Sequence, residues 1–221
     1  MIQIKNLCFS YEGSEPYILD NVNLHIPEGS YFSIVGENGS AKSTLIKLIL
    51  KLLKPVKGSI ELGTSNIGYV PQKLDSFNSQ FPITVKELLI NHKKVSKIDD
   101  ANSIEKSLDI VSMGAYKNKL IGSLSGGQQQ KIFIGRALMG SPKLLILDEP
   151  STGIDLQSQK EIYSIIKKLN VEKNITVISV EHNLDAVLEN STNVYELSSG
   201  NGILYTCKEY KNKILNVYKE R

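Results

Sequence analysis

The stretch Gly36-Glu37-Asn38-Gly39-Ser40-Ala41-Lys42-Ser43-Thr44 constrains this chain more than any other. It follows Tyr31-Phe32-Ser33-Ile34-Val35, an apolar run that reads as a buried strand. It precedes Leu45, Leu48, Ile49 and Leu52, whose spacing of i, i+3, i+4 and i+7 puts them on one face of a helix. Small residues between a strand and a helix start let backbone N–H groups turn inward, and the helix N-terminus adds partial positive charge. Such a loop is built for phosphate. In the pattern G-x-x-x-x-G-K-[ST], the lysine, here Lys42, reaches the β- and γ-phosphates of a nucleotide, and the next hydroxyl, Ser43, sits on Mg²⁺. One position departs from that pattern, because Ala41 stands where it has glycine. Glycine there takes a positive φ. A Cβ at positive φ costs about 1–2 kcal/mol. Turning the peptide instead loses a phosphate hydrogen bond worth roughly 1.5–3 kcal/mol. Either route is expected to weaken nucleotide binding and to reduce turnover.

The length of 221 residues fits one domain carrying an inserted lobe, and 41% hydrophobic residues argues against disorder. A formal charge of +3 gives no reason to expect nucleic acid as a partner. Cys8 and Cys207 are isolated thiols without metal-ligand spacing, which fits a reducing compartment. Met1 leads directly into an alternating strand pattern, so no signal peptide is expected. No apolar run approaches the roughly 18–20 residues that span a bilayer, so any membrane role must come through a partner.

Strand patterns fall at residues 2–8, 18–26, 59–62, 67–70, 144–147 and 175–180, and Phe9 and Tyr11 are expected as exposed aromatics. Residues 194–197 and 203–205 flank Gly200-Asn201-Gly202 as a closing hairpin. Residues 73–120 are more polar and helical in period, with Val85, Leu88, Leu89, Ile104, Leu108 and Val111, and read as a helical lobe set into an α/β body. From about Lys208 the tail is an amphipathic helix carrying Tyr210, Ile214, Val217 and Tyr218.

Two further constellations carry chemistry. Leu144-Leu145-Ile146-Leu147 is a continuous apolar strand of the kind buried on both faces of a parallel sheet, and it ends in Asp148-Glu149. Adjacent strand residues point to opposite sides. Asp148 therefore suits the Mg²⁺ shell and Glu149 suits polarising a water for attack on a γ-phosphate. Leu124-Ser125-Gly126-Gly127-Gln128 opens a helix with two glycines after a serine, a second anion site of the helix-N-terminus type. Two phosphate sites with one phosphate loop suggest that the second serves another subunit's nucleotide, in a dimer with ATP sandwiched between its copies.

Taken together these motifs resemble the ATP-binding subunits of ABC transporters, over essentially the whole chain. Residues 124–128 match that family's signature motif letter for letter. Residues 36–44 match its Walker A loop except at Ala41, and residues 144–149 match Walker B with its catalytic glutamate. The resemblance implies further roles. Gln72, after Tyr69-Val70-Pro71, is similar to the Q-loop that senses Mg²⁺ and γ-phosphate. Ser151-Thr152-Gly153-Ile154-Asp155 is similar to the D-loop, His182 to the switch histidine, and Tyr11 to the aromatic stacked on adenine. The implied fold is α/β: a P-loop NTPase core with a mainly parallel sheet, an N-terminal antiparallel β part and an inserted helical lobe. Residues 1–221 would form one domain, with the helical subdomain at about 73–135. The implied protein is an ATPase using ATP and Mg²⁺, with Glu149, His182 and Lys42 catalytic. It would form a homodimer when ATP is bound and sit at the cytoplasmic face of the membrane. A polytopic permease subunit would be its direct partner and an extracytoplasmic substrate-binding protein an indirect one.

A finer resemblance, carried by residues 68–72, Phe81-Pro82-Ile83-Thr84-Val85 and residues 120–130, is to the subfamily powering zinc and manganese import. Phe77 and Phe81 are candidates for contact with a permease helix or for packing into the helical lobe. Two other readings stand beside the importer: a non-transport ABC ATPase, which usually carries a long coiled coil or a second fused cassette, and a nucleotide-binding subunit with turnover impaired by Ala41.

Overall fold

The apolar runs assemble into two sheets in a computed structural model. It describes residues 1–72 and 82–219, with side chains through residue 216. Phe77 and Phe81 lie outside the described residues, as do the side chains of Val217 and Tyr218. In the smaller, antiparallel sheet, β1 (Ile2–Phe9) lies between β2 (Leu19–Ile26) and β4 (Lys57–Leu62). Asn6 and Asn21 adopt φ of 47° and 50°, and the β1/β2 register shifts around them. The bulges re-aim the pleat, so that Leu7, Phe9, Leu19 and Val22 are all buried. This corrects the expectation that Phe9 is exposed. Tyr11, two residues on, takes the exposed position and packs edge-to-face on the Phe9 ring with centroids 5.2 Å apart.

The larger sheet has the order β5-β6-β7-β3-β8-β9. Its strands are β3 (Tyr31–Val35), β5 (Ile67–Val70), β6 (Leu144–Asp148), β7 (Thr176–Val180), β8 (Asn193–Ser198) and β9 (Asn201–Thr206). Every pairing is parallel except the β8/β9 hairpin. β3, β6 and β7 are buried at every position, because both faces of the sheet are covered. Alternation divides the core in two. Phe32, Ile34, Leu144, Ile146, Ile178 and Val180 pack with the small sheet and with α1 (Lys42–Ile49). Tyr31, Leu145, Leu147 and Val177 pack on the other face with α4 (Gly126–Leu138) and α5 (Leu156–Lys173).

α1 is shorter than its apolar spacing implied. The helix is capped at Leu50, Lys51 takes φ 58°, and Leu52 emerges 65% exposed instead of on the buried face. Between β5 and β6 lie α2 (Val85–Val95), α3 (Ser103–Ile110) and α4. α2 starts on a capping box in which Thr84 and Glu87 satisfy each other's backbone N–H. α6 (Leu184–Asn190) is a short helix that apolar spacing did not mark, and it follows the Asn183 cap. α7 (Cys207–Lys219) closes the chain. No helix among the described residues is long and apolar enough to cross a membrane.

Candidate functional site

Register decides where the chemistry collects. Asp148 pairs with Val180 across β6/β7, and Val180 pairs with Ile34 across β7/β3. The carboxyl ends of three neighbouring parallel strands are therefore level. β3 delivers the loop of residues 36–44, β6 delivers Asp148 and Glu149, and β7 delivers Glu181 and His182. The crevice beyond the carboxyl ends of such strands is where α/β sheets bind ligands.

The loop closes on its own lysine. Lys42 Nζ donates to the carbonyls of Gly36 at 2.9 Å and Glu37 at 2.8 Å, and the side chain is buried. Burial lowers the Lys42 pKa, an effect opposed by the Glu149 and Asp148 carboxylates. Gly36 sits at φ 151°, where a Cβ would lie 2.3 Å from the Leu197 carbonyl oxygen, so only glycine fits. Asn38 and Gly39 are exposed at the loop's tip. The Ser40 hydroxyl is buried and finds no partner among the described residues. Ala41 adopts φ 71° and ψ 21° as the cap of α1, and its carbonyl accepts the Leu45 N–H at 2.9 Å. Of the two routes open to an alanine here, the chain takes the left-handed one, so its peptide is not turned. The Ala41 methyl packs against the apolar cluster beneath the loop. Thr44 is buried, and its Oγ1 lies 3.3 Å from the Tyr11 hydroxyl, which brings that exposed ring beside the loop.

Ser43 donates to Asp148 Oδ1 at 3.4 Å. Burial, the largest cause, raises the Asp148 pKa, and the Ser43 hydrogen bond and nearby lysines work against it. Glu149 leaves the strand at φ 52°, held by its N–H donating to the Val180 carbonyl at 3.1 Å. Both of its carboxylate oxygens are engaged: Oε1 lies 3.0 Å from His182 Nε2, and Oε2 accepts from Thr152 Oγ1 at 3.0 Å. The sequence did not mark Thr152 as a partner of Glu149.

The second anion motif lies elsewhere. Ser125 caps α4 by accepting the Gln128 N–H at 3.3 Å, and Gln128 returns the bond from the Ser125 N–H at 3.0 Å. A Cβ on Gly127 would lie 2.3 Å from Ser158 Oγ, so glycine is needed for α4 to dock on α5, whereas a Cβ on Gly126 would make only an ordinary contact, 3.9 Å from the Gly153 carbonyl oxygen. Asp155 caps α5 by accepting the Ser158 N–H at 2.9 Å. Gln72 is exposed just beyond β5. The structure thus gathers residues 36–44, Tyr11, Asp148, Glu149 and His182. It sets Ser125, Gly126, Gly127, Gln128 and Asp155 apart, where α4 and α5 meet.

Sequence reasoning missed Glu181. Its carboxyl is 2% exposed, and its pKa is pushed up to about 7, first by burial, against hydrogen bonds from Ser179 and Tyr163. The available signal was a carboxyl directly after a continuous apolar strand.

A family pattern described as ABC transporter matches residues 19–152. The "Probable metal transport system ATP-binding protein" of Treponema pallidum is 46% identical over 220 residues, covering 99% of this chain and 92% of that protein. The high-affinity zinc uptake system ATP-binding protein ZnuC of Bacillus subtilis is 39% identical over 214 residues, covering 90% of this chain and 92% of that protein. A solved dimeric ATP-binding cassette, in a post-hydrolysis state bound to ADP and Pi, superposes with a TM-score of 0.77 at 28% identity. That match covers 94% of this chain and 99% of the other.

Two outcomes are expected. Because Ala41 holds the left-handed conformation with its methyl against the apolar cluster, its strain weighs on folding and not on binding. Ala41→Gly should leave Mg-ATP affinity within about threefold by calorimetry and raise stability by at most about 1 kcal/mol. The second concerns Glu181, whose folded pKa lies above its unfolded value near 4.5. Its stabilising contribution is complete below the unfolded pKa and is lost as pH rises through about 7. Urea titrations at pH 5 and pH 8 should show the wild type losing roughly 2–3 kcal/mol relative to Glu181→Gln.

Proposed function

This chain belongs to the ABC transporter family, and from that membership we propose that it is the ATP-hydrolysing subunit of an importer of divalent metal, zinc or manganese. The observation that carries hydrolysis is the convergence at three adjacent strand ends: a phosphate loop with its lysine, a buried aspartate beside a serine hydroxyl, and a glutamate hydrogen-bonded to a histidine. The metal reading is supported by relatives whose names state metal transport and zinc uptake.

Lys42 now spends its protons on two carbonyls of its own loop, and β- and γ-phosphate oxygens would take their place. The N–H groups of residues 36–44 would donate to the same phosphates, and the unpartnered Ser40 hydroxyl is a further donor in that cradle. Ser43 and Asp148 fit a Mg²⁺ ion. Their oxygens are neighbours, and burial of the Asp148 charge is a cost that a cation would offset. When bound, the ion supplies charge neutralisation at the β- and γ-phosphate oxygens. Glu149 accepts the proton of the attacking water, and His182 orients Glu149 and reaches the γ-phosphate. Gln72 would complete the shell at the same edge of the sheet, and Tyr11 would stack on the adenine.

Ser125, Gly126, Gly127, Gln128 and Asp155 are assigned to the nucleotide of a second copy. α1 packs on one face of the large sheet and α4 on the other, so the α4 N-terminus is ill placed to serve its own phosphate loop. A solved relative that is a dimer with bound ADP and Pi supports the pairing of two copies. The helical subdomain at about 73–135 would dock a polytopic permease at the cytoplasmic face of the membrane, with an extracytoplasmic binding protein delivering the cargo. Cargo selection is assigned to those partners.

Glu149→Gln should keep Mg-ATP binding, lower turnover by about 10²–10³-fold and accumulate an ATP-bound dimer on sizing chromatography. Undiminished hydrolysis would remove Glu149 from the role of base. For the cargo, the subunit should be reconstituted with its permease and binding protein in proteoliposomes. Zinc or manganese on the binding-protein side should raise ATP hydrolysis several-fold. Equal rates with and without either metal would refute metal import.

A further inference from the structure

Glu181 is used by no step above, yet it sits one residue before His182 and is more deeply buried than any other acid named here. Ser179 Oγ donates to its Oε1 at 2.5 Å, and the Tyr163 hydroxyl lies 2.8 Å from its Oε2. That same hydroxyl lies 2.8 Å from Ser151 Oγ, in the loop that follows Glu149. Tyr163 has a single proton, so it donates to one neighbour and accepts from the other. One turn earlier on α5, Gln159 Nε2 donates to the Ser151 carbonyl at 3.1 Å and to the Ile154 carbonyl at 2.9 Å. Its Oε1 lies 3.5 Å from Asn183 Nδ2, one residue after His182. The i, i+4 spacing aims both side chains at the same two segments. The remaining groups around the carboxyl are the Tyr31 hydroxyl from β3, which also faces Ser179, and the Glu149 charge.

We propose that Tyr163 and Gln159 on α5 are positioning residues for ATP hydrolysis, clamping the loop after Glu149 to the exit of β7, with Glu181 as the clamp's buried anchor. The clamp joins the backbone that carries Glu149 to the backbone that carries His182, and so it maintains the 3.0 Å contact between them. The Glu149 N–H bond to the Val180 carbonyl is the last backbone tie described between the two exits, and beyond it a polar bridge between side chains carries the connection on. The inference rests on the reading of Glu149 and His182 as the hydrolytic pair.

The test is steady-state ATPase kinetics of the full chain. Tyr163→Phe removes the hydroxyl and keeps the ring, and it should lower kcat about tenfold with KM for Mg-ATP within about twofold. Gln159→Ala should lower kcat in the same manner. The double variant should fall short of the product of the two losses, because both side chains hold one loop. Glu181→Gln should retain at least about half of kcat: its carbonyl accepts from Ser179, its amide donates to Tyr163, and Tyr163 donates to Ser151. Glu181→Ala should lose as much as Tyr163→Phe. If Tyr163→Phe fails to melt cooperatively, Gln159→Ala, at a half-buried position, carries the test alone. A kcat within twofold of wild type for both α5 variants, a rise in KM with kcat unchanged, or loss of activity in Glu181→Gln overturns the proposal. Glu149→Gln in the same assay separates the two readings. If it retains turnover, the hydrolytic pair is misassigned. If it is inactive while both α5 variants behave as wild type, only the clamp is wrong.

Discussion

The site depends on the parallel register of β6, β7 and β3. Residues near positions 40, 148 and 181 are far apart in the chain, and they meet because three all-buried strands end at one level. The register is strongly specified. A one-residue slip would exchange Leu144, Ile146, Ile178 and Val180 for their neighbours and turn each face against the wrong layer. Packing on both faces therefore fixes the geometry of the chemistry, although no core side chain takes part in it.

Two of the left-handed residues lie where those strands end. Ala41 at φ 71° and Glu149 at φ 52° both hold conformations that L-residues avoid, each at a cost of about 1–2 kcal/mol. Both are held from outside: Ala41 by the helix it caps and the apolar cluster under its methyl, Glu149 by Val180, Thr152 and His182. Most of the polar groups are engaged as well: Lys42 satisfies its own loop and Glu149 uses both oxygens, while the Ser40 hydroxyl finds no partner among the described residues. A ligand entering this crevice exchanges bonds that already exist, so little of its binding energy is spent on ordering the site.

The second anion motif shows a different economy. Gly127 is demanded by Ser158, and Asp155 is occupied as the α5 cap. The α4 and α5 N-termini thus form one docked unit, whose exposed rim at Ser125 and Gly126 is left open. α5 runs from that unit to Tyr163 beneath Glu181, so a single helix touches both the outward-facing motif and the hydrolytic centre.

Much was legible in the sequence. The phosphate loop, the apolar strands 31–35 and 144–147, the two carboxylates and the signature stretch are local patterns, set by backbone geometry and burial over a few residues, and they fixed the fold class and the chemistry. Other features needed the tertiary structure. Phe9 is buried because paired bulges in β1 and β2 re-aim the pleat, and Leu52 is exposed because Lys51 ends α1 before the apolar spacing does. The direction of the Ala41 methyl was undetermined until the cluster beneath it was seen. Glu181 looked like any polar residue after a strand. Only the layers that bury it, Tyr31 from β3 and Tyr163 from α5, turn it into an anchor, because desolvation depends on what the rest of the chain stacks around a residue and not on its neighbours in sequence.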